Sequence, residues 1–249
     1  GFALKTIFSS GLLGKNRIGR WVSWLKLPIG TAQSMCFLIR KRPGLVVGVG
    51  GYASGPLVLS AWILRIPVLI HEQNSIPGMT NKWLGKIADK ITVSFKNSSE
   101  AFPKEKVEVT GNMIREEFCQ SKEDTPEKLE GPFQVLVLGG SQGAHSINMA
   151  MVEALESLSE KKGDLHITHQ TGEADYEIVN KKYKENEFSC DIRPFFDDMA
   201  NQYKKASLVI CRAGATTLAE VTACGKMSVL IPFPHAAHNH QKKNALVLE

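Results

Sequence analysis

The run Ser207-Leu208-Val209-Ile210-Cys211-Arg212-Ala213-Gly214-Ala215-Thr216-Thr217-Leu218-Ala219-Glu220 joins a short aliphatic strand to a helix. The first helical turn is built of small residues and hydroxyls, Ala215, Thr216 and Thr217. Exposed N–H groups at a helix start favour negative charge, and small side chains let an anionic group approach the backbone. Glu220 would not help a phosphate. Its carboxylate suits the two hydroxyls of a ribose. Twenty-one residues on, Gln241-Lys242-Lys243-Asn244-Ala245 offers an amide to the same ligand. The combination reads as a pocket for a nucleotide sugar.

The same strand-then-helix grammar runs along most of the chain. Strands are predicted at 45–49, 67–71, 90–95, 107–109, 133–138, 165–169, 190–193, 208–211 and 228–233. Between most of them, apolar residues recur at spacings of three and four, as in Ile147, Met151, Ala154, Leu155 and Leu158. Buried runs without period-two alternation, separated by helices, predict parallel sheets covered on both faces. The fold class is therefore α/β, and 249 residues accommodate two domains. A polar, Pro/Gly-punctuated stretch, Gln120 to Pro132, separates them. The predicted domains are 1–115 and 116–249, with a ligand at the carboxyl ends of the strands.

Charge is unevenly distributed. The chain carries a net charge of +5, yet residues 1–71 hold nine Lys/Arg and no Asp or Glu. The segment from Gly11 to Pro28 is basic and aromatic, and Trp21 and Trp24 fall on one helix face with Arg17, Arg20 and Lys26 flanking it. That composition suits an anionic bilayer surface, the alternative being an ordinary core helix. The most apolar run, Leu57 to Ile70, is broken by Arg65 and Pro67, too short to span a membrane. The five cysteines include no C-x-x-C pair, which argues against a zinc site or disulfide framework; Cys211 and Cys224 are expected to pack in a core. The chain starts at Gly1 and stops at Glu249 within a helical pattern, so a fragment is expected.

Other polar clusters sit where an α/β sheet places its site. Gly139-Gly140-Ser141-Gln142-Gly143-Ala144 follows a strand and opens a helix, permitting close approach of a phosphate or sugar. Its spacing is not G-x-G-x-x-G, which disfavours a dehydrogenase. Val47-Gly48-Val49-Gly50-Gly51 forms a similar junction earlier. His71-Glu72-Gln73-Asn74 ends a strand, and His71 and Glu72 either move a proton or pin the loop. Arg115 is a natural pyrophosphate partner. His235, His238 and His240 read as solvated loop residues and not as a metal site. No Asp-x-Asp occurs, so a diphosphate would be neutralised by helix dipoles and arginines.

At these residues the chain resembles the MurG family of bacterial cell-wall glycosyltransferases. The resembling segments, in family order, are 50–56, His71-Glu72-Gln73-Asn74, Thr80-Asn81-Lys82-Trp83-Leu84, 139–144, Phe196-Asp197-Asp198-Met199-Ala200, 212–217 with Glu220, and Gln241 with Asn244-Ala245. The resemblance implies a GT-B-like α/β fold, two Rossmann-like doubly wound domains with an interdomain cleft. It implies transfer of N-acetylglucosamine from UDP-N-acetylglucosamine to a lipid-linked muramyl-pentapeptide, at the cytoplasmic face of the bacterial membrane, by a peripheral protein. No cofactor, no metal and no nucleic-acid partner is implied. Asn74 would lie at the sugar, Arg115 would reach the donor, and Ser141 would cap the diphosphate. Phe196 would meet the uracil through backbone and packing. Ala215, Thr216, Thr217, Leu218 and Ala219 would form the helix start under the α-phosphate, Glu220 would hold the ribose and Gln241 the sugar.

Two departures stand out. The family's G-N-P-V-R reads Gly111-Asn112-Met113-Ile114-Arg115, losing a proline that would stiffen the approach to the arginine. The family's glycine-rich G-G-T-G-G-H loop, which supplies the favoured general base, is absent, so no catalytic residue is assigned. An epimerase acting on UDP-N-acetylglucosamine and a non-catalytic nucleotide-sugar-binding subunit are the rival readings.

Overall fold

The computed structural model describes residues 4–9, 17–119, 131–236 and 239–248. The chain divides into two compact units, Gly1–Asn112 and Met113–Glu249. The division falls three residues before the predicted limit at 115, because Ile114 packs with the core of the second unit. All nine predicted strands are present, and every strand pair is parallel.

The first unit starts with α1 (Arg17–Lys41), followed by β1 (Val46–Gly48), α2 (Gly51–Ile63), β2 (Val68–Glu72), α3 (Met79–Leu84), β3 (Lys90–Val93) and β4 (Val107–Val109). Its strands lie in sequential order, β1-β2-β3-β4. One core cluster joins Leu38 of α1, Val58 and Ala61 of α2, and Val46, Val68, Ile70, Ile91 and Val93 of the strands. The Ser60 hydroxyl donates to the Thr31 carbonyl at 3.0 Å, pinning α2 to α1. Trp21 and Trp24 fall within helix α1, and their side chains lie outside the described residues, as does 10–16. No helix among the described residues is long and apolar enough to cross a membrane.

The second unit contains α4 (Glu116–Cys119), β5 (Phe133–Leu138), α5 (His145–Ser157), β6 (Leu165–Gln170), α6 (Tyr176–Glu185), β7 (Ser189–Arg193), α7 (Met199–Lys205), β8 (Leu208–Cys211), α8 (Ala215–Ala223), β9 (Met227–Leu230) and α9 (His240–Leu246). The sheet order is β7-β6-β5-β8-β9. Strand β5 shows why its sequence lacks alternation. Val135 and Val137 join a cluster with Ile147, Met151 and Leu155 of α5 and Val179 and Tyr183 of α6. Leu136 and Leu138 join Ala200, Tyr203, Val221 and Phe118 in the other cluster. Successive side chains point to opposite faces, and both faces are covered. Cys211 is buried and Cys224 packs at the edge of the same core, as expected.

Strand β9 ends three residues sooner than its aliphatic run predicts. Ile231 still donates to the Cys211 carbonyl at 2.8 Å, but Pro232 has no N–H with which to continue the ladder. Likewise α9 closes at Leu246, short of the chain end.

Candidate functional site

Five loops leave the carboxyl edge of the second sheet. Strands β5 and β8 are neighbours there, with β6 and β7 extending to one side and β9 to the other. In open α/β sheets the crevice outside such a reversal is the ligand site. The loops flanking it are 139–144, after β5, and 212–214, after β8. Both run into helices whose capping residues, Ala144 and Gly214, make no side-chain cap, and neither helix has an acid in its first turn. By contrast, Asp198 caps α7 through the Asn201 N–H. In α8 the first returning bond runs from Leu218 N–H to the Gly214 carbonyl at 2.9 Å. The N–H groups of Ala215, Thr216 and Thr217 therefore have no helical acceptor.

Arg212 ties these elements together. Its Nη2 donates to Ser146 Oγ at 2.6 Å, in the first turn of α5. Its Nη1 donates to the carbonyls of Ile231 and Pro232 at 3.1 and 3.3 Å, and the guanidinium lies 5.5 Å from the Phe233 ring centroid. A fixed positive charge thus stands beside both helix starts. The glycine loop is held by backbone contact: a β-carbon on Gly143 (φ 77°) would overlap the Thr171 carbonyl, and one on Gly172 would overlap that of Gln142. Ser141 is exposed at the tip of this loop.

Beneath the α8 start, burial pushes the Glu220 carboxyl above its ordinary value, opposed by the charge of Arg115 and the hydroxyl of Tyr203; Glu117 adds to the rise. Tyr203 Oη is buried without a hydrogen bond of standard geometry, and burial drives its own pKa far up. Arg115 is paired with Glu117 at 2.7 Å and lies over the Phe118 ring at 4.9 Å. Gln241 Oε1 accepts the Phe233 N–H at 2.9 Å, and buried Asn244 donates to the Ala213 carbonyl at 3.2 Å, seating α9 on the loop that starts α8. Phe196 is 3% exposed, with the Arg193 guanidinium 5.0 Å from its ring centroid.

The second unit matches the family "Glycosyltransferase family 28 C-terminal domain" over residues 134–249, and the first matches "Glycosyltransferase family 28 N-terminal domain" over 3–93. A protein of Geobacter sulfurreducens named UDP-N-acetylglucosamine--N-acetylmuramyl-(pentapeptide) pyrophosphoryl-undecaprenol N-acetylglucosamine transferase is 49% identical over 98% of this chain. The crystal structure of Acinetobacter baumannii MurG is 35% identical, covers 90% of the chain and superposes with a TM-score of 0.72. This chain belongs to the MurG family. It spans about two thirds of the length of its relatives, 68% of the Geobacter protein and 63% of the Acinetobacter chain. A Listeria monocytogenes structure titled putative UDP-N-acetylglucosamine 2-epimerase, at 16% identity and a TM-score of 0.62 over 89% of this chain, shares the fold alone.

Of the residues that MurG membership brings into question, Arg115, Ser141, Phe196, Ala215–Glu220 and Gln241 all belong to the second unit, and Asn74 to the first. Asn74 donates from its backbone N–H to Glu72 Oε1 at 3.0 Å and from Nδ2 at 3.4 Å. His71 and Glu72, read in the sequence as moving a proton or pinning the loop, both make hydrogen bonds that hold the loop. Glu72 is 2% exposed, and its Oε2 accepts from Gly78 N–H at 3.0 Å and Asn81 Nδ2 at 2.8 Å. His71 is similarly buried, with Nδ1 against Thr92 Oγ1 at 2.9 Å and Nε2 against Asn112 Oδ1 at 3.1 Å. The bracing role of Arg212 went unread in the sequence, as did Gln170, Thr171 and the Asn148–Asp175 pair at 2.7 Å. Only their position at strand ends and helix starts hinted at them.

Proposed function

We propose that this chain carries the UDP-N-acetylglucosamine site and part of the acceptor-facing domain of an inverting glycosyltransferase. The reaction moves N-acetylglucosamine onto undecaprenyl-pyrophosphoryl-N-acetylmuramyl-pentapeptide, converting lipid I to lipid II in peptidoglycan synthesis. One observation carries the reading: at the β5/β8 reversal, two uncapped helix starts, the Arg212 cation and the half-buried Glu220 carboxylate stand together. Their signs match a diphosphate joined to a ribose. The 49% identity of a relative with this named activity supports the same substrates.

In this reading the N–H groups of Ala215, Thr216 and Thr217 cradle the α-phosphate, with Leu218 and Ala219 completing the helix start beneath it, and Ser141 caps the diphosphate from the glycine loop. Glu220 accepts from the ribose hydroxyls, while Phe196 backbone and packing define the uracil subsite. Gln241 and Asn74 address the sugar, and Arg115 leaves Glu117 for the donor. The acceptor hydroxyl loses its proton to a base and attacks the anomeric carbon with inversion. The bond to UDP breaks, and the electron pair leaves with the diphosphate, whose charge the helix start and Arg212 stabilise. His71 and Glu72 are committed inside the first unit, so the base role is assigned to neither.

Replacing Glu220 with Ala should weaken UDP-N-acetylglucosamine binding by about 1.5–3 kcal/mol, roughly 10- to 150-fold. Titration calorimetry giving equal affinities removes Glu220 from the site. We also propose a peripheral membrane-facing role for the first unit. Its acid-free, basic residues 1–71 and the exposed Trp62, Ile63 and Trp83, with Lys86 over the Trp83 ring, support this. Flotation with vesicles should depend on anionic lipid; indifference to lipid charge would favour an epimerase-like soluble role.

A further inference from the structure

A single buried amide links the two loops to which the donor reading gives different parts of the ligand. Gln170, the last residue of β6, is 3% exposed. Its Nε2 donates to the Gly140 carbonyl at 2.9 Å, in the glycine loop after β5. Its Oε1 accepts the Phe196 N–H at 3.0 Å, in the loop after β7. Strand β6 lies between β5 and β7, so the amide spans both neighbours from the strand between them. The backbone beneath repeats the linkage: Thr171 donates to the Arg193 carbonyl and Gly172 to that of Pro194, both at 3.0 Å. Gly143, in the glycine loop, sits hard against the Thr171 carbonyl.

The amide is polarised, and each end has a fixed duty. A neutral amide both donates to a carbonyl and accepts from an N–H without changing its protonation state. An ionised glutamate keeps the acceptor and turns a second oxygen on the Gly140 carbonyl; a methionine keeps the volume and loses both bonds at any pH. Gln170 and Phe196 are buried, so water is kept from the Phe196 N–H, while Gly140 lies on an exposed loop that the amide ties to it.

We propose that Gln170 is a positioning residue that couples the diphosphate subsite at Ser141 to the nucleobase subsite at Phe196. The inference rests on the donor reading above. Uridine and the β-phosphate then profit from being on one molecule because the protein holds their subsites at the matching distance beforehand. Gln170 itself touches no part of the donor.

The test is calorimetric titration of the 249-residue chain with UDP and with UMP, for the unaltered protein, Q170E and Q170M, alongside melting curves. Loss of coupling should weaken UDP binding about tenfold, the size of one buried hydrogen bond, while UMP changes about twofold or less. A purely structural role would lower the melting temperature and weaken both nucleotides in the same proportion, which overturns the proposal, as does unchanged UDP affinity. Hydrogen exchange on the unaltered protein gives a reading free of any substitution. Inorganic pyrophosphate alone should slow exchange at the Phe196 amide as well as in the glycine loop; protection confined to the glycine loop overturns the coupling. Absence of UDP binding to the unaltered chain would instead strike at the donor reading itself.

Discussion

The two units use the same parallel α/β grammar and treat their strand ends in opposite ways. In the first unit the strands step in one direction, and the polar residues after β2 turn inward. Glu72 takes hydrogen bonds from two backbone N–H groups and two asparagine side chains, and His71 is held at both ring nitrogens. In the second unit the order reverses at β5/β8, and helices α5 and α8 begin at that reversal without side-chain caps, as α2 and α3 also do in the first unit. A buried carboxylate with four donors organises a loop. The half-buried Glu220 carboxylate beneath the α8 start has fewer groups around it, the Arg115 charge and the Tyr203 hydroxyl. The lesson is that polar residues at a strand's carboxyl end indicate function only when the protein has not already used them.

Substitutions can break that contrast. The largest effect is expected at Gly143, where φ is 77° and a β-carbon would overlap the Thr171 carbonyl. Gly143→Ala should destabilise the second unit by more than about 3 kcal/mol, from combined steric and backbone strain. Differential scanning calorimetry should show one transition shifted and the first unit's unchanged; an unshifted profile would mean that the loop yields.

Acid should act next. Burial brings His169 down to about 4, so the folded protein holds it neutral while the unfolded chain binds a proton below about pH 6.5. Stability is then full above that pH and falls as pH drops towards 4, by about 3 kcal/mol. Asp175, lowered by its bonds to His145 and Asn148, works in the same direction at still lower pH, and Glu220, raised, works against both. Urea denaturation at pH 7 and pH 4.5, repeated with His169→Gln, should show the pH dependence shrink in the variant.

In the first unit Glu72→Gln places an NH2 group among four donors and should cost about 2 kcal/mol of stability. UDP affinity should stay the same, since the residue serves its own loop. A change in UDP affinity at unchanged stability would reverse the assignment. The smallest effect belongs to Glu117→Ala. It removes the exposed Arg115 pair and should alter stability by less than about 1 kcal/mol. Nucleotide affinity should rise slightly as Arg115 is released, measured by the same titration.

Much of this was legible in sequence because the signals were local. The runs of β4, β5 and β8 give their limits correctly; β8 holds no polar residue, and β5 is buried from Val135 to Leu138, although β4 carries Glu108 and is largely exposed. The run at 228–233 misled because Pro232 ends the ladder while its neighbours stay apolar. The α8 start and the glycine loop could be found from small residues following a strand. Gln170 could not: its two partners lie 30 and 26 residues away, and nothing in its neighbours marks an amide that faces both. Arg212 posed the same difficulty, reaching Ser146 across 66 positions. The fate of His71 and Glu72 was likewise decided by Asn81, Thr92 and Asn112, which sequence spacing alone does not bring near.

The pairing of β5 with β8 carries a consequence for biosynthesis. Gln134 and Ser207 meet across 73 positions, whereas β5, β6 and β7 follow one another closely along the chain. Nearby strands meet early, and contacts that close long stretches come late. On the ribosome the β5–β6–β7 half would therefore assemble while β8 is still unmade, and nucleotide would find no complete seat until that strand arrives. A ligand present during synthesis would then act only on the closing step.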